Sequence, residues 1–295
     1  MSDSYYGRPV VKPHVWTPYV PVYFWIGGTA GAAAVHCAVA RLNGQHGLAT
    51  VQKRTALAGV ALAPLLLIAD LGVPKRFLNM LRVFKLTSPM SVGSWVLTAF
   101  GGVVTASTAA ELLGMTRTSR ALEFAAAGLG PLLTVYTAVL VADTATPAWH
   151  QAYDTLPFVF ASSGVAGAGA VGSTFAPANE RASAQRMMIG GALALAAAGQ
   201  TMEHRLGKFL AEPYTRGTGG TLKHASATLA IAGAALGFAG RKSRALTAVA
   251  AACVAGAGIL ERFAVLAAGK QSACDPKYTV EPQRARIDAG TRAPA

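Results

Sequence analysis

The sequence contains few charged residues for its length. Only 13% of its 295 residues are Asp, Glu, Lys or Arg, whereas 53% are hydrophobic. Soluble domains typically carry about 25% charged residues. Because long windows contain no charged residue, a lipid bilayer is the expected solvent for most of the chain. We therefore predict an all-α integral membrane protein rather than a soluble globular domain.

Cysteine is also scarce. Cys37, Cys253 and Cys274 are widely spaced, and they form no CxxC motif and no Cys/His pair. We therefore expect this chain to bind no metal ion or iron–sulfur cluster of its own. The opening residues lack the basic stretch and short apolar run of a secretory signal. The first apolar window is therefore expected to serve as its own insertion signal.

Eight windows of about 20 mostly apolar residues are long enough to cross a bilayer as helices. Several are rich in Gly and Ala, small residues that let helices pack closely in lipid. The windows are approximately residues 21–40, 55–71, 92–113, 122–142, 157–175, 187–202, 221–239 and 245–268. We predict residues 1–20 as an extramembrane segment, residues 21–268 as an eight-helix transmembrane domain, and residues 269–295 as a polar tail that is extended or partly disordered.

The 26 basic residues, which give a net charge of +13, lie in short clusters between apolar runs. This pattern is typical of membrane flanks and argues against nucleic-acid binding. By the positive-inside rule, four short basic connections are predicted to be cytoplasmic and both termini to lie outside the plasma membrane. Longer segments on the terminal side nevertheless contain more basic residues in total. The short connections contain Arg41, Lys53 and Arg54; Arg117 and Arg120; Arg181 and Arg186; and Arg241, Lys242 and Arg244.

Asp70 lies near the end of the second apolar window and is followed by Lys75, Arg76, Arg82 and Lys85. A carboxylate at the edge of the hydrocarbon costs several kcal/mol unless it is paired or protonated. Two interpretations remain open. Either Arg76 pairs with Asp70 in a structural clamp, or Asp70 exchanges protons with a ligand at the membrane interface and is the catalytic residue.

The string around Asp70, ADLGVPKRFLNMLRVFKLTSPMSVGSW (residues 69–95), is specific. It closely resembles the connection between the second and third membrane helices of the polysulfide reductase membrane subunits, the NrfD/PsrC family. Other segments resemble further parts of that family: YFWIGGTAGAAA (23–34), YTAVLVADTATPAWH (136–150), LPFVFASSGVAG (156–167) and ERFAVLAAGKQSACDP (261–276). The resemblance implies eight helices in two four-helix bundles, with a quinone pocket near the surface where an iron–sulfur subunit docks.

The resemblance also implies which residues line that pocket. In polysulfide reductase, polar residues at the start of the first helix and a tyrosine on the fourth helix line it. Tyr136 corresponds to that tyrosine, whereas Tyr23 stands in place of a histidine and Val20 in place of an asparagine. Tyrosine and histidine can donate hydrogen bonds to a quinone, and a carboxylate can exchange its protons. The candidate quinone-binding residues are His14, Tyr23, Asp70, Arg76 and Tyr136.

The ligand implied by the resemblance is menaquinone or another quinone. Electrons would pass through a four-cluster, ferredoxin-like iron–sulfur subunit to or from a molybdopterin-type catalytic subunit, so this chain would not hold the catalytic centre of the complex. Lys75, Arg76, Arg82 and Lys85 are the candidate docking residues for the iron–sulfur subunit. A passive membrane anchor and a polytopic transporter remain as alternative functions.

Four glutamates lie within or beside apolar windows: Glu111, Glu123, Glu203 and Glu261. Intramembrane carboxylates commonly form structural ion pairs, and they can also relay protons. If protons cross this subunit, Glu111 and Glu123 are expected to mark the mouth opposite the termini. Glu203 and Glu261 would then be further steps of the same path.

Overall fold

A computed structural model describes residues 9–73, 75–241, 243–288 and 290, and every regular element in these residues is helical. The all-α prediction is therefore confirmed for the described part of the chain. The helices are α1 (Tyr19–Leu42), α2 (His46–Leu71), α3 (Arg76–Asn79), α4 (Pro89–Leu112), α5 (Thr116–Ala142), α6 (Pro147–His150), α7 (Leu156–Phe175), α8 (Arg181–Leu210), α9 (Glu212–Thr215), α10 (Gly217–Ala239), α11 (Arg244–Cys274) and α12 (Lys277–Asp288).

Seven of these helices are long and apolar enough to cross a membrane: α1, α2, α4, α5, α7, α10 and α11. The protein is therefore a multi-pass membrane protein. The predicted window 187–202 lies in α8, which has 30 residues but is less apolar than the other seven. Near its end, α8 changes direction at Gly207, whose φ of 69° is a conformation that glycine adopts at little cost.

Helix α1 lies at the centre of the molecule and packs against α2, α5, α7 and α11. Its glycines allow these neighbours to approach closely. A Cβ atom at Gly31 would overlap the carbonyl oxygen of Gly130 on α5, and a Cβ atom at Gly164 on α7 would lie 2.7 Å from the carbonyl oxygen of Gly28. Small residues therefore bring the helix backbones into direct contact, as expected inside a bilayer.

The remaining long helices pack in two sets. In the first set, α2 and α5 pack against α1, and α4 packs against α2 and α5. In the second set, α7, α8, α10 and α11 pack with one another. Helices α1, α4, α7 and α10 begin at one end of the molecule, which we call the N-terminal end, and short connections join helices at the opposite end. Helix α2 begins at His46, well before the predicted residue 55, because its polar first turns are partly buried against other helices.

Residues 269–288, which were predicted to be extended or partly disordered, are mostly helical. Helix α11 continues to Cys274 and is followed by α12. Lys277 Nζ lies 2.9 Å from Glu212 Oε2, and the Tyr278 hydroxyl donates to the same oxygen at 3.0 Å. These two hydrogen bonds lower the pKa of Glu212, so its contact with α12 is present at neutral pH and is lost as the pH falls through that lowered pKa.

Candidate functional site: a cavity at the N-terminal end

A cavity of about 240 Å³ lies at the N-terminal end among α1, α2, α4 and α5. Its wall is mostly aliphatic and aromatic, and Tyr23, Asp70, Ser94 and Tyr136 contribute polar groups to it. The structure thus brings together three of the residues that the sequence predicted as one site. Ser94 was not predicted, although it lies within the string that carries the family resemblance.

Tyr23 presents a hydroxyl that is buried and has no hydrogen-bond partner among the described residues. The side chain is 2% exposed and lines the cavity. Buried hydroxyl groups in proteins are normally hydrogen-bonded to protein or to water. The Tyr23 hydroxyl is therefore free to donate to a molecule that enters the cavity.

The position of Tyr136 depends on a glycine in the neighbouring helix. Its ring packs directly on Gly93 of α4, and a Cβ atom at Gly93 would overlap the ring carbons. Substituting Gly93 would therefore force the tyrosine to move away from its place in the cavity wall. The sequence showed this glycine in the string SPMSVGSW, but only the packing gives it a role.

Asp70 is bound by the N-terminal segment rather than by a cation. Its Oδ1 atom accepts a hydrogen bond from the Thr17 backbone N–H at 3.0 Å and another from the Thr17 hydroxyl at 2.7 Å. Arg76 is exposed and forms no ion pair with Asp70 within the described residues. The interpretation of Arg76 as the clamp is therefore wrong, because Thr17 is the partner, and nothing near Thr17 in the sequence indicated this.

His14 lies behind the cavity wall and does not line the cavity. Its ring centre is 4.7 Å from Trp16 and 4.6 Å from Trp149, and its Nδ1 atom is 3.3 Å from the hydroxyl of Thr146. Trp16 stacks on Trp149 and supplies part of the wall instead. Burial lowers the pKa of His14, which favours the neutral imidazole.

The segment between α2 and α4 has one face toward the cavity and another exposed at the protein surface. Phe77 and Met80 line the cavity. Val83, Phe84 and Leu86 are exposed apolar side chains on the same segment. The four predicted docking cations are also exposed, and none forms an ion pair in the described part of the chain: Lys75, Arg76, Arg82 and Lys85.

The sequence model of the polysulfide reductase family, NrfD_2, matches residues 2–275. The match covers the cavity, the segment between α2 and α4, and α1 through α11. The chain belongs to the NrfD family of polysulfide reductase subunits. The resemblance based on residues 69–95 is thereby confirmed, and the family is one of membrane subunits of oxidoreductase complexes. Comparison with curated proteins gave no match.

Two of the four predicted glutamates lie in one ion network at the opposite end of this NrfD subunit. Glu123 accepts hydrogen bonds from Arg41 Nε at 2.9 Å and Nη2 at 3.1 Å. Lys53 Nζ lies 3.2 Å from Glu123 and 2.6 Å from Glu111. Arg41 and Lys53 were predicted as connection residues, but the network holds them between helices and ties the ends of α1, α2, α4 and α5 together.

The other two glutamates lie in the second set of helices. Glu203 forms an ion pair with Lys223, which also interacts electrostatically with the fully buried Glu261. Arg262 is 1% exposed, donates to the Phe160 carbonyl at 2.9 Å and lies 3.6 Å above the Phe160 ring. No contact within the described residues links Glu203, Lys223 and Glu261 to the ion network at the opposite end. The four glutamates therefore do not form one continuous chain.

Proposed function

We propose that this NrfD-family protein is the quinone-binding membrane subunit of a multi-subunit oxidoreductase. It exchanges electrons between a quinone pool and a docked iron–sulfur subunit. The proposal rests on one observation: Tyr23, Asp70 and Tyr136 line the same largely apolar cavity. An apolar wall with a few convergent polar groups is the usual form of a site for a flat, mostly apolar ligand.

The polar groups of the cavity suit the proton chemistry of a quinone. Reduction to the quinol takes two electrons and two protons, and oxidation releases them. The hydroxyls of Tyr23 and Tyr136 donate hydrogen bonds to the oxygens of the ligand. Asp70 keeps one carboxylate oxygen, Oδ2, without a protein hydrogen bond among the described residues, and that oxygen exchanges a proton with the ligand. The electrons enter or leave through the partner.

The iron–sulfur subunit docks on the segment between α2 and α4, and a molybdopterin-type catalytic subunit lies beyond it. The unpaired cations and exposed apolar side chains of this segment support the proposal, because partner surfaces combine both kinds of group. Phe77 and Met80 of the same segment line the cavity. A partner on the outer face would therefore be separated from a bound quinone by one layer of side chains.

The proposal includes eight spans in two four-helix bundles, with α8 as the remaining span. The two packing sets of long helices support the bundles. Trp16 stacks on Trp149 of α6, and α12 also contacts α6, so both ends of the described chain lie at the N-terminal end. This requires an even number of crossings. The basic short connections favour placing the N-terminal end outside the plasma membrane.

Proton transfer across the subunit would use Glu203 and Glu261 on the side of the N-terminal end, with Lys223 between them. Glu111 and Glu123 would form the opposite mouth. The direct contacts of the described residues leave a gap between the two groups, so internal water would have to bridge it. The Asp70 chemistry at the cavity does not depend on this path.

Substituting Gly93 tests the cavity as the quinone site. Gly93→Ala is expected to displace Tyr136 and to weaken quinone binding about tenfold, because overpacking of this kind costs about 1–3 kcal/mol. Gly102→Ala on the same helix is the matched control, since no atom lies within 4 Å of the added carbon. The measurement is quinone content and quinone affinity of the purified complex.

The outcomes separate the alternatives. Loss of quinone from Gly93→Ala alone supports the cavity as the site. Equal binding by both variants would contradict it. A wild-type complex that contains its iron–sulfur partner and binds no quinone would be a passive anchor, and a wild-type subunit that purifies without any redox partner would favour a transporter.

Charge reversal tests the docking surface. The double variant Arg76→Glu, Arg82→Glu is expected to release the iron–sulfur subunit in detergent while the membrane subunit stays inserted, because like charges then face the partner. Arg117→Glu, Arg120→Glu reverses two exposed arginines at the opposite end and should leave the complex intact. Co-purification measures both. A stable complex in the first variant would mean that these cations contact lipid headgroups instead.

A further inference from the structure

A groove of about 620 Å³ runs along the outside of the molecule between α1, α2 and α7. One stripe of α2 lines it at helical spacing, from Val51 through Ala58 to Leu62. Helix α1 forms its floor, because Gly59 on α2 lets the two helices meet closely. The opposite wall comes from Val171 and Phe175 of α7.

The length and chemistry of the groove match one leaflet of a bilayer. The α2 stripe from Val51 to Leu62 rises about 16 Å at roughly 1.5 Å per residue. One leaflet contributes about 15 Å, half of the roughly 30 Å hydrocarbon core. Leu62 and Phe175 are large exposed apolar side chains at its margins. An extended hydrocarbon chain therefore fits along the groove.

A single cation, Arg54, lies among the groove residues, toward the opposite end of the molecule. It is exposed, and it forms no ion pair or hydrogen bond in the described part of the chain. The preceding residue, Lys53, points into the ion network with Glu111 and Glu123. Arg54 is thus free to extend its guanidinium toward the membrane surface while its methylene groups stay in the groove.

We propose that this groove binds one anionic phospholipid, with an acyl chain along α2 and the headgroup phosphate at Arg54. Arginine presents a planar fork of donors that matches phosphate oxygens. A neutral quinone head would gain nothing comparable from a fixed positive charge. The bound lipid packs between α2 of the first set of helices and α7 of the second, and it stabilises their association.

Two variants and two controls test the inference. Arg54→Gln removes the charge, and Ala58→Phe fills the groove with a phenyl ring. Arg120→Gln and Ala61→Phe are matched controls, because both positions are exposed and lie outside the groove. The purified full-length protein, in its complex, is analysed by native mass spectrometry and by lipid extraction for the number and class of retained phospholipids.

The wild-type protein is expected to retain one anionic phospholipid through purification. Arg54→Gln should lower that retention about fivefold, as the loss of one basic residue near an anionic headgroup predicts. Ala58→Phe should remove the lipid, and both controls should behave as wild type. Unchanged retention in both groove variants would overturn the inference. Release of a quinone by Ala58→Phe, or equal retention of zwitterionic lipid with and without Arg54, would overturn the assigned occupant.

Discussion

Asp70→Asn is expected to lower quinone-linked turnover by about 100-fold or more and to leave assembly intact. A general acid or base typically contributes about 10²–10⁴ in rate, and the amide can carry no exchangeable charge. The asparagine oxygen can still accept both hydrogen bonds that Thr17 donates to Asp70, so the N-terminal segment keeps its attachment to α2. The measurement is turnover with a quinol analogue, divided by the amount of assembled complex.

Thr17→Ala is the matched control for the structural role of the same contact. It removes the hydroxyl hydrogen bond, worth about 1 kcal/mol, and leaves the carboxylate of Asp70 in place. It should lower accumulation slightly and preserve turnover per complex to within a few-fold. If Asp70→Asn instead prevents accumulation while the assembled fraction turns over normally, Asp70 is a structural residue and its proposed proton exchange is wrong.

The second large effect is expected at the opposite end of the molecule, where Glu123→Gln should destabilise the protein by about 3–5 kcal/mol. The substitution removes the carboxylate that Arg41 binds through two nitrogen atoms and that Lys53 also contacts. Arg41 then remains partly buried without its partner. The loss should appear as a lower unfolding temperature of the purified protein in detergent.

Glu111→Gln provides the comparison within the same network. The Glu111 side chain is 46% exposed, so water can compensate for the lost charge, and the expected cost is about 1 kcal/mol or less. A large loss of stability for Glu123→Gln alone identifies the network as a structural tie. Normal stability combined with impaired proton release would instead support the proposed proton mouth.

The lengths of the apolar windows were sufficient to predict the helical class and the positions of the long helices. Every predicted window lies mostly within a long helix, because a chain in lipid must satisfy its backbone hydrogen bonds internally. The start of α2 was misplaced because Gln52 and Lys53 are polar residues inside a helix. Polar residues usually end an apolar window, and only the partners of Gln52 and Lys53 on other helices explain why the helix continues through them.

The string of residues 69–95 was sufficient to identify the family and to place Asp70 at the candidate site, because its order of charged, proline and glycine residues is distinctive. The partner of Asp70 could not be predicted in the same way. Thr17 and Asp70 are 53 positions apart, and Arg41 and Glu123 are 82 positions apart. Contacts at such separations depend on which helices pack together.

The sequence shows no periodicity from which the packing of the helices could be predicted. The spanning helices are apolar around most of their circumference, so they lack the one-sided stripe that reveals the buried face of a helix in water. Glycines that leave room for a close neighbour decide instead which faces meet. Gly31 meets the backbone of Gly130, and Gly93 meets the ring of Tyr136. Composition and length therefore determined that the chain forms membrane helices, whereas contacts between residues far apart in the sequence determined that Tyr23, Asp70 and Tyr136 share one cavity.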